Sequence, residues 1–146
     1  MNAPGKYKEI TILLVEDNPG DVLLTTEALN DFRITNKLHV TETGVEALDF
    51  LHRRGRYEQA PRPDLILLDL NLPQKNGREV LAEIKQDNRL KHIPVIILTS
   101  SRSEEDILTT YGLHANCYIT KPTGLESFIK VVQSIETFWL TIVKLP

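Results

Sequence analysis

The chain has 146 residues, of which 41% are hydrophobic and 25% are charged, and its net charge is −3. This length suffices for one domain with a hydrophobic core, and the negative charge disfavours a large nucleic-acid-binding face, which needs basic residues. No apolar stretch approaches membrane-spanning length, residues 1–9 do not resemble a signal peptide, and the single cysteine, Cys117, excludes an internal disulfide. We therefore expect a cytoplasmic protein that binds neither membrane nor nucleic acid.

Short apolar runs alternate with longer amphipathic segments, which is typical of βα units around a parallel sheet. The predicted strands are Ile10 to Val15, Lys37 to Glu42, Asp64 to Leu68, Val95 to Leu98 and Cys117 to Thr120. The predicted helices are Pro19 to about Phe32, Val45 to Arg54, one after Asn76-Gly77, a short one capped by Ser101 or Ser103, and Leu125 to about Val143. This pattern predicts a single three-layer α/β domain over residues 1–146, with no separate output domain.

The first two helices carry clear boundary signals. Asn18 is suited to an N-cap and Pro19 to the first helical position, and Gly55 is expected to stop the second helix. A basic cluster, formed by Arg53, Arg54, Arg56 and Arg62, surrounds that stop. Because cations suit the negative end of the helix dipole, we interpret the cluster as a solvated helix terminus and loop.

Polar side chains follow several strands directly. Glu16-Asp17 comes after the first strand, Asp69 after the third, Thr99 after the fourth and Lys121 after the fifth. In an open α/β sheet these carboxyl ends lie along one edge, where ligands bind. Three carboxylates brought together repel one another, so their proximity implies a bound cation.

The predicted cluster suits magnesium and phosphoryl chemistry. Mg²⁺ prefers oxygen ligands, which Asp17, Asp69, Glu16 and a backbone carbonyl such as that of Asn71 can provide. Asp69, the central carboxylate, is the candidate nucleophile toward a phosphoryl group. Lys121 is expected to pair with phosphoryl oxygens, and the Thr99 hydroxyl to donate a hydrogen bond to them.

Four motifs carry a resemblance to a known family. They are Leu14-Val15-Glu16-Asp17-Asn18, Leu67 to Pro73 with Gly77 after it, Ile97-Leu98-Thr99-Ser100, and Tyr118-Ile119-Thr120-Lys121-Pro122. With them the chain, from about Thr11 to Val132, resembles a response-regulator receiver domain of two-component signalling. Further segments, such as Gly77 to Lys85 and Phe138-Trp139-Leu140, resemble the small regulators paired with cyanobacterial phytochromes.

The resemblance implies a fold and a set of roles. The fold is a flavodoxin-like, doubly wound sheet of five parallel strands in the order 2-1-3-4-5. Asp69 is expected to accept a phosphoryl group from a sensor histidine kinase, with Mg²⁺ held by Glu16 and Asp17. Thr99 and Tyr118 are expected to form a switch pair, and a cis peptide bond to join Lys121 to Pro122. Two positions depart from the usual pattern, Ser100 in place of a frequent alanine and Thr123 in place of a bulky aromatic, and neither removes a catalytic group.

Two other function classes fit part of the pattern. A phosphohydrolase or phosphotransferase with an aspartyl nucleophile commonly has a second aspartate two residues later as acid and base, where this chain has Asn71. A flavodoxin-like cofactor carrier needs a phosphate-cradling loop after the first strand, where Glu16-Asp17 repels phosphate. The signalling switch, whose output is a change of surface, is therefore the favoured interpretation.

The predicted last helix has more apolar surface than one packed face requires. One stripe runs through Leu125, Phe128, Val132, Ile135, Trp139 and Ile142. Phe138, Trp139 and Leu140 together direct apolar groups to nearly all sides, and an exposed surface of this kind is typical of an interface. We expect a homodimer contact here; the alternative is that the chain end folds back over its own loops.

Overall fold

The computed structural model describes residues 9–31, 35–99, 112, 117–120, 130 and 133–137, with the backbone alone for residues 99 and 117–120. The described strands are β1 (Ile10–Val15), β2 (Asn36–Thr41), β3 (Leu65–Asp69), β4 (Val95–Thr99) and β5 (Cys117–Thr120). The helices with defined bounds are α1 (Pro19–Asn30), α2 (Gly44–His52) and α3 (Gly77–Gln86), and Gly55–Tyr57 forms a 3-10 turn. Residues 133–137 are also helical. The predicted short fourth helix, the Lys121–Pro122 bond and Phe138-Trp139-Leu140 lie outside the described residues.

The five strands form one parallel sheet in the order β2-β1-β3-β4-β5. This confirms the predicted doubly wound order. The strand order reverses direction between β1 and β3, which lie side by side with Val15 opposite Leu68. In folds of this type a ligand binds outside the carboxyl ends of the strands at such a switch point.

The core lies on both faces of the sheet. All five residues of β3 are buried, because the strand is central and helices cover it on both sides. One apolar cluster joins alternate residues of β1 and β3 to α2 and α3, and the other joins the remaining residues to α1 and to Ile135. Each fully buried leucine of β3 contributes about 1.5–3 kcal/mol of hydrophobic stabilisation, so the strand that positions Asp69 is firmly held.

The helices begin where local signals place them. The Asn18 side chain accepts a hydrogen bond of 3.0 Å from the Asp21 N–H, which confirms the predicted N-cap of α1. Asn76 and Glu79 form a reciprocal capping box at the start of α3. Each cap follows a loop that starts at the carboxyl edge of the sheet, after β1 for α1 and after β3 for α3. The caps therefore fix where each helix begins relative to that edge.

Some predicted boundaries were wrong by one or two residues. α2 ends at His52 rather than Arg54, because Arg53 adopts the left-handed conformation (φ 55°) and the Arg54 N–H donates to the Asp49 carbonyl. Gly55 therefore does not stop this helix but opens the 3-10 turn. β3 begins at Leu65 because the Asp64 side chain accepts a hydrogen bond from the Thr11 N–H, and it extends to include Asp69. β2 likewise lies one residue earlier than predicted.

Candidate functional site

Three carboxylates meet at the carboxyl edge of the sheet. Glu16 and Asp17 directly follow β1, and Asp69 is the last residue of the neighbouring strand β3. One oxygen from each carboxylate lies within 4.8 Å of the other two. The structure thus brings together the three acidic side chains that the sequence placed at strand ends.

Burial makes this cluster electrostatically costly by itself. Glu16 is 1% exposed and Asp69 is 4% exposed, whereas Asp17 is exposed. Two negative charges at such a separation repel by roughly 3 kcal/mol at an effective dielectric constant of about 20. A cation among the three oxygens would offset that repulsion, and an all-oxygen donor set suits a hard divalent ion. The residues therefore fit such a metal.

Backbone amides orient the two buried carboxylates. Asp69 Oδ1 accepts a hydrogen bond of 3.1 Å from the Asn71 N–H, and Glu16 Oε2 accepts one of 3.3 Å from the Asn18 N–H. In both cases the donor lies two residues after the acceptor, and for Asp69 this is the turn that aspartate and asparagine side chains commonly form. These two amides were not predicted from the sequence, although the turn preference of aspartate could have indicated the Asn71 amide.

The loop from β3 to α3 packs tightly beneath Asp69. The Gly77 N–H donates to the Leu70 carbonyl at 3.0 Å, and Gln74 adopts a positive φ of 66°. A Cβ atom on Gly77 would lie 2.4 Å from the Asp69 carbonyl oxygen. Gly77 therefore allows α3 to start against the peptide group of Asp69, and the same turn places exposed Asn71 at the rim of the site.

The remaining predicted site residues are described only in part. Thr99 is the last residue of β4 and pairs with Thr120 of β5, so its backbone lies at the same edge of the sheet as Asp69. Tyr118 pairs with Ile97 and lies two residues before the end of β5. The Thr99 and Tyr118 side chains and all of Lys121 and Pro122 lie outside the described part of the structure.

Known proteins are similar to this chain in sequence. Residues 12–133 match the response regulator receiver domain family. The chain belongs to this family. The receiver domain is 53% identical over 135 residues to the response regulator Rcp1 of Synechocystis sp., with 92% of each protein covered.

Solved structures resemble the receiver domain closely. The Mn²⁺-bound form of Rcp1 has a TM-score of 0.85 and 52% identity, covering 94% of this chain and 99% of that one. The phosphorylated cyanobacterial phytochrome response regulator RcpA has a TM-score of 0.87 and 50% identity, covering 95% of this chain and 99% of that one. These similarities confirm the flavodoxin-like fold, and the receiver domain is a response-regulator module rather than a classical enzyme. Among the helices that the structure describes, none is both long and apolar enough to cross a bilayer.

Proposed function

We propose that this receiver domain is a phosphoacceptor switch in which Asp69 takes a phosphoryl group from a sensor histidine kinase in a Mg²⁺-dependent reaction. The observation that carries the proposal is the meeting of Glu16, Asp17 and Asp69 at the switch point of the sheet, within 4.8 Å of one another. Asp69 ends the central strand of the sheet, and the Asn71 N–H fixes one of its oxygens.

The proposed transfer moves the phosphoryl group between two side chains. An Asp69 oxygen forms a bond to phosphorus, while the bond from phosphorus to the kinase histidine nitrogen breaks and that nitrogen keeps the electron pair. Mg²⁺, when bound by Glu16, Asp17, Asp69 and the Asn71 carbonyl, supplies charge neutralisation for the phosphoryl oxygens. Lys121 adds a further positive charge at those oxygens, and the Thr99 hydroxyl donates a hydrogen bond.

Asn71 limits the chemistry that is possible after the transfer. Asn71 occupies the place of the acid and base that aspartyl phosphohydrolases use, and an amide cannot exchange a proton in that role. We infer that the domain catalyses its own phosphotransfer and dephosphorylation without being an enzyme on other substrates. Its output is a change of surface through Thr99 and Tyr118, read by a partner in the cytoplasm. The cis bond between Lys121 and Pro122 stays a prediction.

The proposed kinase partner is a phytochrome. RcpA, at 50% identity, is a cyanobacterial phytochrome response regulator, which supports this choice. The test is phosphotransfer from a purified, autophosphorylated phytochrome histidine kinase, with an unrelated histidine kinase at equal concentration as control. We expect transfer from the phytochrome kinase to be at least about tenfold faster, a preference of about 1.4 kcal/mol. Equal rates from both kinases would contradict the phytochrome assignment.

Magnesium is expected to stabilise the native domain. A ligand present at 100 times its Kd and bound only by the folded state adds about 2.7 kcal/mol, which corresponds to a rise in Tm of roughly 5 °C or more. Asp17→Asn should lose most of this rise, since the variant removes one of three carboxylates. The apo variant should melt no lower than apo wild type, because repulsion among the carboxylates falls.

The control for magnesium is Asp31→Asn, at the exposed C-cap of α1. This variant changes the net charge equally but lies outside the carboxylate cluster, so it should keep the full rise in Tm. Differential scanning calorimetry with and without MgCl₂, at constant ionic strength, measures both variants. If Asp17→Asn responds to MgCl₂ as wild type does, Asp17 is not a ligand.

We also propose a homodimer contact through Phe138, Trp139 and Leu140, supported by their apolar character in the sequence. Sedimentation equilibrium should show a concentration-dependent dimer that Phe138→Glu removes, since a buried charge without a partner is strongly unfavourable. A wild type that stays monomeric to about 100 μM, both phosphorylated and not, would refute the contact.

A further inference from the structure

A small basic cavity opens on the side of the domain away from Asp69. Its volume is about 110 Å³, and three arginines line it: Arg53, Arg62 and Arg89. Two leucines of the core, Leu51 and Leu90, which are 3% and 0% exposed, also line it. A concave, mostly polar cavity that is lined by several arginines has the general form of a site for a small polar ligand.

The fold gathers the arginines from three separate places in the chain. Arg53 is the C-cap of α2, Arg62 lies in the loop that leads into β3, and Arg89 lies shortly after the end of α3. Since Arg62 precedes β3 and Asp69 ends it, the cavity and the carboxylates lie at opposite edges of the sheet. The strand between them spans roughly 13 Å, so the cavity is separate from the phosphoacceptor site.

The three arginines of the cavity are not committed to ion pairs with described carboxylates. Other arginines of the same region are paired: Arg54 Nε lies 3.2 Å from Asp49 Oδ1, and Arg56 Nη2 lies 2.8 Å from Glu46 Oε2. Within the described part of the chain, no carboxylate lies within salt-bridge distance of Arg53, Arg62 or Arg89. Three arginines thus line one cavity, and none of them forms a salt bridge with a described carboxylate.

One carboxylate does line the cavity, and protein groups already engage it. Asp87 Oδ1 accepts a hydrogen bond of 2.7 Å from the Arg89 N–H, and Asp87 Oδ2 lies 3.8 Å from His52 Nδ1. Three arginines and one aspartate leave a formal charge of +2, and His52 adds another when it is protonated. The lining therefore carries a net positive charge even with Asp87 counted.

Helix dipoles offset only part of the positive charge of the cavity lining. The C-termini of α2 and α3 both lie at the cavity, and each contributes roughly −0.5 of an elementary charge. Together they offset about one of the two or three positive charges, which is the stabilising role expected for arginines at helix ends. The remaining excess, held in a concave site, is attractive to an anion.

We propose that this cavity binds a small oxyanion with two negative charges, of which a phosphate group is the simplest. The two negative charges of such an anion equal the formal charge of +2 on the lining side chains before the helix dipoles are counted, and guanidinium groups bind phosphate oxygens through paired N–H donors. The cavity is well below the roughly 300 Å³ at which sites for drug-sized molecules begin. It therefore suits a phosphate group and not a whole nucleotide.

The test is a titration of the ¹⁵N-labelled full chain with inorganic phosphate, followed by ¹H–¹⁵N correlation spectra. EDTA removes divalent metals, so that the carboxylate site repels the anion, and sodium chloride keeps the ionic strength constant. We expect saturable shifts at the amides of residues 51–54 and 87–90, with a Kd on the order of 1 mM. The phosphate group can belong to free phosphate or to a phosphorylated small molecule, and a parallel titration with glycerol 3-phosphate distinguishes the two. If the ester binds at least as tightly as free phosphate, the ligand is a phosphorylated molecule; if it binds more weakly, the ligand is free phosphate.

The variant pair makes the test specific. Arg53→Gln/Arg89→Gln removes two charges from the cavity and should weaken phosphate binding at least about tenfold, whereas Arg54→Gln/Arg56→Gln removes two charges beside the cavity and should leave Kd within about twofold. If the first variant fails to fold, Arg62→Gln provides the same comparison with a single substitution. Shifts that rise linearly without saturation, or equal weakening in both double variants, would overturn the proposal.

Discussion

Asp69→Asn is expected to abolish phosphorylation of the domain and leave its fold intact. The amide oxygen of asparagine is uncharged and is not a competent nucleophile toward phosphorus, so the yield of phosphoryl adduct should fall below about 1% of wild type. The fold should persist because the two side chains are nearly isosteric, and the introduced amide oxygen can still accept the hydrogen bond that the Asn71 N–H donates to Asp69 Oδ1. Intact mass spectrometry after incubation with acetyl phosphate and MgCl₂ measures the adduct.

Asp64→Asn is the matched control for this prediction. Asp64 lies just before the opposite end of β3, is exposed, and accepts a hydrogen bond of 2.8 Å from the Thr11 N–H, which asparagine can also accept. The control should form the adduct at the wild-type yield. A comparable adduct in Asp69→Asn, or its loss in Asp64→Asn, would show that another group accepts the phosphoryl. In the absence of metal, Asp69→Asn should also be more stable than wild type, because repulsion with buried Glu16 is removed.

The sequence predicts the position of the carboxylates because two local signals coincide there. An apolar run identifies each buried strand, and the first acidic residues after the run mark its end, as at Val15-Glu16-Asp17 and Leu68-Asp69. Once the strands are parallel and adjacent, their carboxyl ends must share an edge. The shared edge was enough to predict that the carboxylates meet, whereas the strand order that makes β1 and β3 neighbours came from the family resemblance.

Tertiary contacts determine the features that the sequence could not predict. α2 ends where Arg53 adopts a left-handed conformation, which is uncommon for a residue other than glycine. The sequence therefore favoured Gly55 as the end of the helix, and that prediction was wrong. The basic cavity depends on Arg89, which is far along the chain from Arg53 and Arg62 and joins them only because α2 and α3 end side by side. In the sequence alone, Arg53 to Arg62 resemble a solvated loop.

Gly44 gives a further example of a tertiary constraint. The residue begins α2, and a Cβ atom there would lie 1.8 Å from the Lys75 carbonyl oxygen in the loop between β3 and α3. The sequence shows only a glycine next to the predicted helix start at Val45. The contact ties the start of α2 to the loop that comes after Asp69.

Gly77→Ala is expected to destabilise the domain and to weaken its response to metal. The added methyl group would lie 2.4 Å from the Asp69 carbonyl oxygen and 2.6 Å from the Leu70 Cα atom, and these backbone atoms cannot rotate away. Alanine is favoured over glycine within a helix by up to about 1 kcal/mol, but forced overpacking typically costs about 1–3 kcal/mol. Overpacking should exceed the helix gain, because a contact this short requires α3 or the end of β3 to move.

The control for Gly77→Ala is Gly20→Ala in the first turn of α1. A Cβ atom on Gly20 would meet only the Asn18 side-chain oxygen, at 3.1 Å, so this variant should stay within about 0.5 kcal/mol of wild type. Urea unfolding with an unchanged m value measures both free energies. The atom that the new methyl group displaces belongs to the peptide group of Asp69. The rise in Tm that MgCl₂ produces should therefore also be smaller in Gly77→Ala than in Gly20→Ala. Wild-type stability and a full magnesium response in Gly77→Ala would mean that the start of α3 does not constrain the position of Asp69.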